Sequence, residues 1–221
     1  MSGTAELTRR MMLAAGFAAS GLASARAQSA RPSERRLIFE VWRNHRNIGH
    51  HSLVFQGGDR DFMVAIDAQM AVSLGPITLF RYHHQATETW RGGQFAGLRS
   101  QTVTNGKREQ VVAVRTSSGV AVKTLTSTHT LDAATLPLTH WNRRVLEGPM
   151  FNPETGAAMR EKVSRLDGQI LRAAGARPVT ATRYAMAGDA DIIDWYDPAG
   201  VWIALSAKVR DGSSIDYRAV A

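Results

Sequence analysis

Hydrophobic and polar residues alternate along most of this chain, a pattern that is typical of β-strands. In the stretch Asp61–Ser73, for example, Phe62, Val64 and Ile66 share one parity and Asp67 falls on the other. Successive side chains of a strand point to opposite faces, so this period of two predicts a sheet with one buried face.

Turn residues separate these stretches at short intervals. Asn105-Gly106 is a strong hairpin signal because both residues accept a positive φ. Asp197-Pro198-Ala199-Gly200 and Asp211-Gly212 divide the aromatic stretch Ile192–Tyr217 into three strands. The other predicted strands are residues 37–42, 50–56, 61–73, 77–90, 94–104, 108–116, 120–126, 159–166, 169–174 and 179–186. Sequential hairpins of this kind predict an antiparallel meander.

One stretch departs from the alternating pattern. Residues Leu136–Gly148 predict a short helix, with Thr139 capping its N-terminus and Gly148 its C-terminus. Trp141 and Val145 are four residues apart, so they would share one face of this helix.

The N-terminus has the three parts of an export signal. Arg9-Arg10 precedes the short apolar run Met11–Ala23, and Ala25-Arg26-Ala27 forms a small-residue cleavage site before Gln28. The run is shorter than the roughly 20 residues of a membrane-spanning helix, so no permanent membrane anchor is expected. We therefore predict a signal peptide at residues 1–27.

The paired arginines resemble the twin-arginine (Tat) form of this signal. Thr8 and Leu13 also match that form, and an ordinary Sec signal is the alternative. Either route predicts a periplasmic protein, and the first implies the Tat translocase as the partner during export. After cleavage we expect a flexible leader at residues 28–36 and one β domain at residues 37–221.

Composition narrows the possible chemistry. The chain has no cysteine, which excludes disulfides and cysteine metal sites. Its formal net charge is +8, and the part after residue 27 carries +6, because the signal holds three arginines and one glutamate. The basic residues are scattered and no nucleic-acid motif is present, so we expect a solvated basic surface and no nucleic-acid partner. A net positive charge is also compatible with binding to an anionic surface or ligand.

Several landmarks are spread over the predicted domain. They are Asn47-Ile48-Gly49, Trp90 before Gly92-Gly93, Thr102-Val103-Thr104-Asn105-Gly106, Thr139-His140-Trp141-Asn142, Arg183-Tyr184, Asp194-Trp195-Tyr196-Asp197 with Gly200, and Asp211-Gly212-Ser213 before Tyr217. As a set they resemble a family of exported bacterial β-sheet proteins that is defined only as a domain of unknown function.

The resemblance implies an all-β fold, a strongly curved antiparallel meander or incomplete β-barrel with one short helix. The family is similar in strand order to the lipoprotein carriers LolA and LolB, whose unclosed barrel holds acyl chains on its concave face. No catalytic residue is implied by the resemblance.

Histidines are the most prominent chemical signal. Seven are present, and four of them form the adjacent pairs His50-His51 and His83-His84. Adjacent residues of a strand face opposite ways, so neither pair can chelate one metal. One histidine of each pair could meet across neighbouring strands, together with Asp67 or Glu88. Zinc needs three or four convergent ligands and no His-x-His or His-Glu-x-x-His spacing occurs, so we expect no metal and no cofactor.

Signals for catalysis are weaker. No Gly-x-Ser-x-Gly motif is present. Asp189, Asp191, Asp194 and Asp197 cluster near one turn, and paired carboxylates can perform acid–base chemistry. We favour turn residues and solvated strand faces for this cluster and predict no catalytic residue.

Aromatic side chains are the remaining candidates. Core packing is their common role, but some could line an apolar cavity in a curled sheet. The predicted ligand contacts are Trp42, Trp90, Trp141, Trp195 and Tyr184. Trp195 and Tyr196 are adjacent, so only one of these two can point inward.

Our leading hypothesis is a periplasmic binding or carrier protein for an apolar or lipid-like ligand held in the concave sheet. The first alternative is a structural or assembly protein of the cell envelope that binds another protein through a sheet edge, and a fully packed interior would favour it. The second alternative is an enzyme, and a pocket holding a histidine–carboxylate pair would favour it.

Replacing the arginine pair by lysines, Arg9→Lys with Arg10→Lys, is expected to block export, because the twin-arginine route reads these two residues. Cell fractionation followed by detection of the protein in the periplasm measures the effect. Export at the unmodified level would contradict the twin-arginine assignment and favour the Sec route.

Overall fold

The computed structural model describes residues 31–174, 177–209 and 211–220. Within these ranges the chain forms sixteen strands and one 3-10 helix, Arg143–Glu147. The strands are β1 (Arg36–Arg43), β2 (Arg46–Gly57), β3 (Phe62–Leu74), β4 (Ile77–Arg91), β5 (Gln94–Thr104), β6 (Lys107–Thr116), β7 (Gly119–Thr124), β8 (Thr128–Leu131), β9 (Leu136–Pro137), β10 (Met150–Phe151), β11 (Ala158–Met159), β12 (Glu161–Ala174), β13 (Arg177–Gly188), β14 (Asp191–Tyr196), β15 (Trp202–Lys208) and β16 (Ser214–Ala219). The predicted export signal, with Arg9, Arg10, Ala27 and Gln28, lies outside the described residues.

Thirteen of the described strands form one antiparallel sheet. Its order is β12-β13-β14-β15-β16-β1-β2-β3-β4-β5-β6-β7-β8. Neighbours in the sheet are neighbours in sequence except where β16 pairs with β1, with Val41 opposite Tyr217. The edges are β8 and β12, so the sheet does not close into a barrel. The predicted all-β fold, a curved antiparallel meander or incomplete barrel, is confirmed.

The alternation of hydrophobic and polar residues gives the strands one buried and one exposed face, as β3 illustrates. In β3, Phe62, Val64 and Ile66 are buried, whereas Met63 and Ala65 between them are exposed. One face of the strand therefore packs into the core and the other faces solvent, as the alternation predicts.

The predicted turns also form where the residue types require them. Asn105 and Gly106 have φ values of 48° and 87°, which only residues tolerant of positive φ adopt readily. At the closing turn, the Asp197 carboxylate oxygen Oδ1 accepts the backbone N–H of Val201 at 2.8 Å. Gly200 has a φ of 82° and donates its N–H to the Asp197 carbonyl at 3.0 Å. Local side-chain chemistry thus sets these hairpin connections.

Residues 132–160, which we call the inner segment, connect the two edge strands of the large sheet. They contain β9, the 3-10 helix, β10 and β11. Strands β9 and β10 pair in parallel, with Met150 opposite Leu136, and β10 and β11 pair antiparallel.

The inner segment fills the buried face of the sheet. Its side chains Leu138, Trp141, Val145, Leu146 and Phe151 belong to one hydrophobic core with residues of β1–β7 and β13–β15. The adjacent residues His140 and Trp141 pack on Trp202 of β15 and Trp90 of β4, two strands that would lie about 24 Å apart in a flat sheet. The sheet therefore curls around the inner segment, and each buried large side chain contributes about 1.5–3 kcal/mol to folding.

The helix prediction needs correction at its start. The expected helix at Leu136–Gly148 is reduced to Arg143–Glu147, with Asn142 rather than Thr139 as its cap. The Asn142 side-chain oxygen accepts the Arg144 N–H at 3.3 Å. His140 has a φ of 64°, which no right-handed helix can include, so the chain turns sharply before the helix begins.

A second correction concerns the strands predicted at residues 159–166 and 169–174. They are one strand, β12, whose pairing with β13 is irregular between Leu166 and Ile170. A bulge accommodates the turn-like residues Asp167-Gly168 without ending the strand.

No helix among the described residues is long and apolar enough to cross a membrane.

Two glycines allow the fold to be tested by matched substitutions. Gly49 has a φ of 156°, and a Cβ there would overlap the backbone carbonyl of Gln69 on β3. Gly200 has a φ of 82°, but a Cβ there would meet no atom within 4 Å. We expect Gly200→Ala to cost about 1 kcal/mol of unfolding free energy through backbone strain alone. Gly49→Ala should cost about 3 kcal/mol or more, because β2 and β3 must move apart.

Urea unfolding of the two variants measures this difference. Equal losses at the two positions would contradict the close approach of β2 and β3 at Gly49.

Candidate functional site

A polar cavity of about 80 Å³ lies between the sheet and the inner segment. Its titratable lining residues are His51, Tyr82, His84, His140, Glu154 and Tyr217, and Thr139 adds a hydroxyl. Larger depressions of about 560 Å³ and 510 Å³ lie elsewhere, the first over residues such as Ser52, Gln85 and Thr87. The small cavity is the one that gathers buried ionisable groups, and for that reason it is the candidate functional site.

The strand geometry explains why two of the histidines meet here. His50 is exposed and His51 is buried, and His83 is half-exposed whereas His84 is buried. His51 and His84 are both paired with Ala68, one from each side, so they lie in one row across β2, β3 and β4. The prediction that the two members of each pair face opposite ways is confirmed. His51 and His84 line the same cavity, but they lie on β2 and β4 with β3 between them and not on neighbouring strands.

His51 is the least satisfied polar group of the cavity. Neither of its ring nitrogens has a hydrogen-bond partner, although the residue is only 8 % exposed. The rings of Trp202 and Tyr217 pack edge-on against it at centroid distances of 5.7 Å and 5.6 Å. Burial, together with the nearby His140, lowers the pKa of His51 to about 3, so the imidazole is neutral at physiological pH.

Other polar groups of the cavity, those of His84 and Tyr82, form hydrogen bonds within the protein. His84 Nδ1 lies 2.8 Å from the Thr102 hydroxyl, and burial lowers the pKa of His84 to about 4. The Tyr82 hydroxyl donates to Glu154 Oε1 at 2.6 Å. Burial raises the pKa of Glu154, a shift that the Tyr82 hydrogen bond partly offsets. Burial also raises the pKa values of Tyr82 and Tyr217, so both phenols keep their protons.

His140 is held in place from three sides. Its Nδ1 lies 2.9 Å from Asp194 Oδ2, and its ring stacks on Trp202 at a centroid distance of 5.2 Å. The Tyr196 hydroxyl donates to the His140 carbonyl at 2.7 Å. Asp194 is fully buried, and its other oxygen accepts the Trp202 indole N–H at 3.0 Å. A carboxylate that accepts Nδ1–H leaves Nε2 as the basic nitrogen, which is the arrangement of a general base.

The position of Asp194 corrects the interpretation of the acidic cluster. We expected turn residues and solvated strand faces, which holds for the turn residue Asp197 but not for Asp194. Asp194, Tyr196 and Trp202 instead point into the core, where they fix His140.

A second buried carboxylate, Glu88, connects the inner segment to β4. Its Oε2 accepts the indole N–H groups of Trp90 at 2.8 Å and Trp141 at 3.1 Å. Burial raises the pKa of Glu88, and hydrogen bonds from Thr139 and the two indoles partly offset that shift. Glu88 does not line the cavity, and its bond to Trp141 ties the inner segment to β4.

Comparison with known proteins gives a family and a fold. The model of the domain of unknown function DUF6134 matches residues 39–220. The chain belongs to the DUF6134 family. No curated protein matches it.

A solved structure supports the fold of this DUF6134 protein. It is the crystal structure of a β-barrel-like protein of the domain of unknown function DUF1849 from Brucella abortus. The two share 13% sequence identity with a TM-score of 0.60, over 84% of this chain and 94% of that chain. At this identity the likeness establishes the curled β fold alone.

The five predicted ligand contacts lie in different places. Trp90 and Trp141 meet in the core at a centroid distance of 5.3 Å. Trp42 lies under the Arg218 guanidinium, 4.4 Å from its ring centroid, and Trp195 packs with Ala181 and Ile203 in a separate cluster. Tyr184 packs edge-on against Tyr196 at 5.8 Å. The structure brings together only the first two, and a ligand role for any of the five stays a prediction.

Sequence reasoning missed the pairing of His140 with Asp194. The two residues are 54 positions apart, and no local pattern joins them. Both stood within the landmark motifs Thr139-His140-Trp141-Asn142 and Asp194-Trp195-Tyr196-Asp197, which were the available signal. Among the residues that the structure describes, no three histidine or carboxylate side chains are grouped to hold a metal ion.

The buried state of His51 predicts a specific pH dependence of stability. The unfolded chain binds a proton near pH 6.5, whereas folded His51 resists protonation until about pH 3. The unfolded state therefore binds more protons below about pH 6.5, and His51 lowers stability as the pH falls through this window. The variant His51→Phe, which cannot titrate, should gain about 2 kcal/mol relative to the native protein between about pH 7 and pH 5.

Urea unfolding at several pH values measures the effect, and the exposed neighbour serves as control through His50→Phe. Parallel stability curves for His51→Phe and the native protein would contradict the buried neutral imidazole.

Proposed function

We propose that this DUF6134 protein is an exported binding protein that takes the uncharged, hydrogen-bonding end of a small or lipid-like molecule in the polar cavity. The observation that carries the proposal is His51, a buried residue whose two ring nitrogens both lack a partner. An unpaired buried polar group costs about 1–3 kcal/mol, and a ligand that pairs with it recovers that energy.

Size and charge define the part of the ligand that enters. A cavity of about 80 Å³ corresponds to the volume of about three water molecules, enough for a group of a few heavy atoms. The lowered pKa values of His51 and His84 make their imidazoles neutral. His51 therefore offers one donor and one acceptor, whereas Nδ1 of His84 is already bonded to the Thr102 hydroxyl. Hydroxyl, amide and ester groups fit this set of partners.

A lipid-like ligand would have to leave its apolar part outside the core. The space that an acyl chain would need is occupied by side chains of the inner segment, Trp141 and Phe151 among them. Tyr82, which lines the cavity, stacks on Phe80 with the ring centroids 6.5 Å apart. These rings provide apolar contact for a chain directly beside the polar group.

The periplasm is the proposed site of action, and the twin-arginine translocase is the proposed partner during export. The support for both is the N-terminal sequence, with Arg9-Arg10 before the apolar run and Ala25-Arg26-Ala27 after it.

Acid–base catalysis is the second candidate function. The specific observation in its favour is the His140–Asp194 pair at the wall of the cavity, because a buried carboxylate fixes the tautomer and orientation of the imidazole. Turnover of a bound ligand would favour this role. Asp194→Asn should then abolish turnover, whereas His51→Phe should weaken binding.

Native mass spectrometry of the protein purified from the periplasm tests the binding role, with organic extraction of any bound molecule. We expect the native protein and the outward control His50→Phe to carry the same small molecule. His51→Phe should lose it or bind the extracted compound at least about tenfold more weakly, as expected for loss of one buried hydrogen-bonding group.

An extracted compound with an acyl chain would identify a lipid-like ligand, and one without would identify a small polar ligand. A clean protein mass, with no thermal stabilisation by periplasmic extract, would contradict the binding role and favour an envelope assembly protein.

A further inference from the structure

Exposed large hydrophobic side chains gather at one end of the sheet. Among the described residues, eight such side chains are exposed, and five lie at or beside the turns β3–β4, β7–β8 and β15–β16, which share that end. The five are Leu74, Ile77, Leu79, Leu125 and Val209. Exposed hydrophobic side chains concentrated at one solvent-facing end of a protein indicate an interaction surface.

The β3–β4 hairpin projects beyond its neighbours in the sheet. The pairing of β2 with β3 stops at Met70, and the pairing of β5 with β4 stops at Tyr82. In residues 71–80 beyond these points the two strands pair only with each other, and they extend by about 13 Å. Leu74, Ile77 and Leu79 occupy this projection with 69%, 62% and 58% of their surface exposed.

Basic side chains surround the base of the projecting hairpin. Arg81 lies in β4 where the hairpin begins to project, and its backbone N–H donates to the Asn105 side-chain oxygen at 2.8 Å, which places the β5–β6 turn alongside. That turn carries exposed Lys107 and Arg108, and the β1–β2 turn on the other side carries exposed Arg46.

Carboxylates on the neighbouring turns are engaged within the protein. Glu109 pairs with Lys107 at 2.9 Å, and Asp211 pairs with Arg43. The arginines Arg46, Arg81 and Arg108 therefore leave a net positive charge around the apolar tip.

We propose that this end of the protein docks on an anionic phospholipid bilayer, with Leu74, Ile77 and Leu79 inserted at the level of the headgroups. An apolar tip with a basic collar matches the bilayer interface, where hydrocarbon lies directly beneath a layer of negative charge. The three aliphatic side chains flank the turn at Gly75, and the exposed arginines Arg46, Arg81 and Arg108 supply the positive charge that an anionic bilayer complements. The proposal does not depend on the cavity or its ligand.

Vesicle co-sedimentation tests this surface, using protein purified after export with its N-terminus identified by mass. The probes are vesicles of pure phosphatidylcholine and of an equal mixture with phosphatidylglycerol. We expect binding to the mixed vesicles that weakens as salt is added. The triple variant Leu74→Thr, Ile77→Thr and Leu79→Thr should bind at least about 100-fold more weakly, because three inserted side chains are lost.

Two further variants separate the contributions. Arg81→Gln and Arg108→Gln should each weaken binding to the mixed vesicles about fivefold and leave binding to phosphatidylcholine unchanged. Met63→Thr with Val114→Thr removes exposed hydrophobic residues that lie outside the projecting hairpin, and it should bind like the native protein. Thermal unfolding checks that all variants are folded.

Equal vesicle binding by the native protein and the triple variant would overturn the proposal, as would no binding to either vesicle. Self-association of the native protein that the triple variant abolishes, without vesicle binding, would overturn it in favour of an interface between two copies.

Discussion

The fold depends on filling the concave face of a sheet that curls but does not close. The chain solves this with its own inner segment, residues 132–160, which joins the two edge strands and places Trp141 and Phe151 in the core. Glu88 fixes the arrangement, since one carboxylate oxygen accepts indole N–H groups from Trp90 on the sheet and Trp141 on the inner segment. Loss of that acceptor would leave two buried donors unpaired, each costing about 1–3 kcal/mol.

Local sequence patterns were enough to predict the strands and tight turns of the sheet, because these elements depend on residues that are close together in sequence. Alternation in β3 and the positive φ values of Asn105 and Gly106 needed no information from distant residues. The inner segment was predictable only in part. The spacing of its apolar residues resembles that of a helix. Before Asn142, however, packing against Glu88 and the left-handed backbone conformation of His140 override the helical propensity.

The sequence could predict the part of the candidate site that depends on which strand residues point inward. Parity separated His51 from His50 and His84 from His83, and it required only that β2, β3 and β4 be neighbours. The other half of the cavity comes from His140 and Glu154 on the inner segment and from Tyr217 on β16. These residues approach the histidines only after the sheet has curled and β16 has paired with β1, which no local pattern encodes.

One face of β4 connects the proposed roles. Its even-numbered residues Phe80, Tyr82, His84, Ala86, Glu88 and Trp90 point inward, and their burial increases from the projecting hairpin towards the core. Phe80 lies next to the exposed apolar tip, Tyr82 and His84 line the polar cavity, and Glu88 anchors the inner segment. Because successive inward residues are about 7 Å apart, a molecule that left a membrane at the hairpin would meet apolar rings first and hydrogen-bonding groups next. This order suits an amphiphile that enters polar end first and keeps its apolar part near the hairpin.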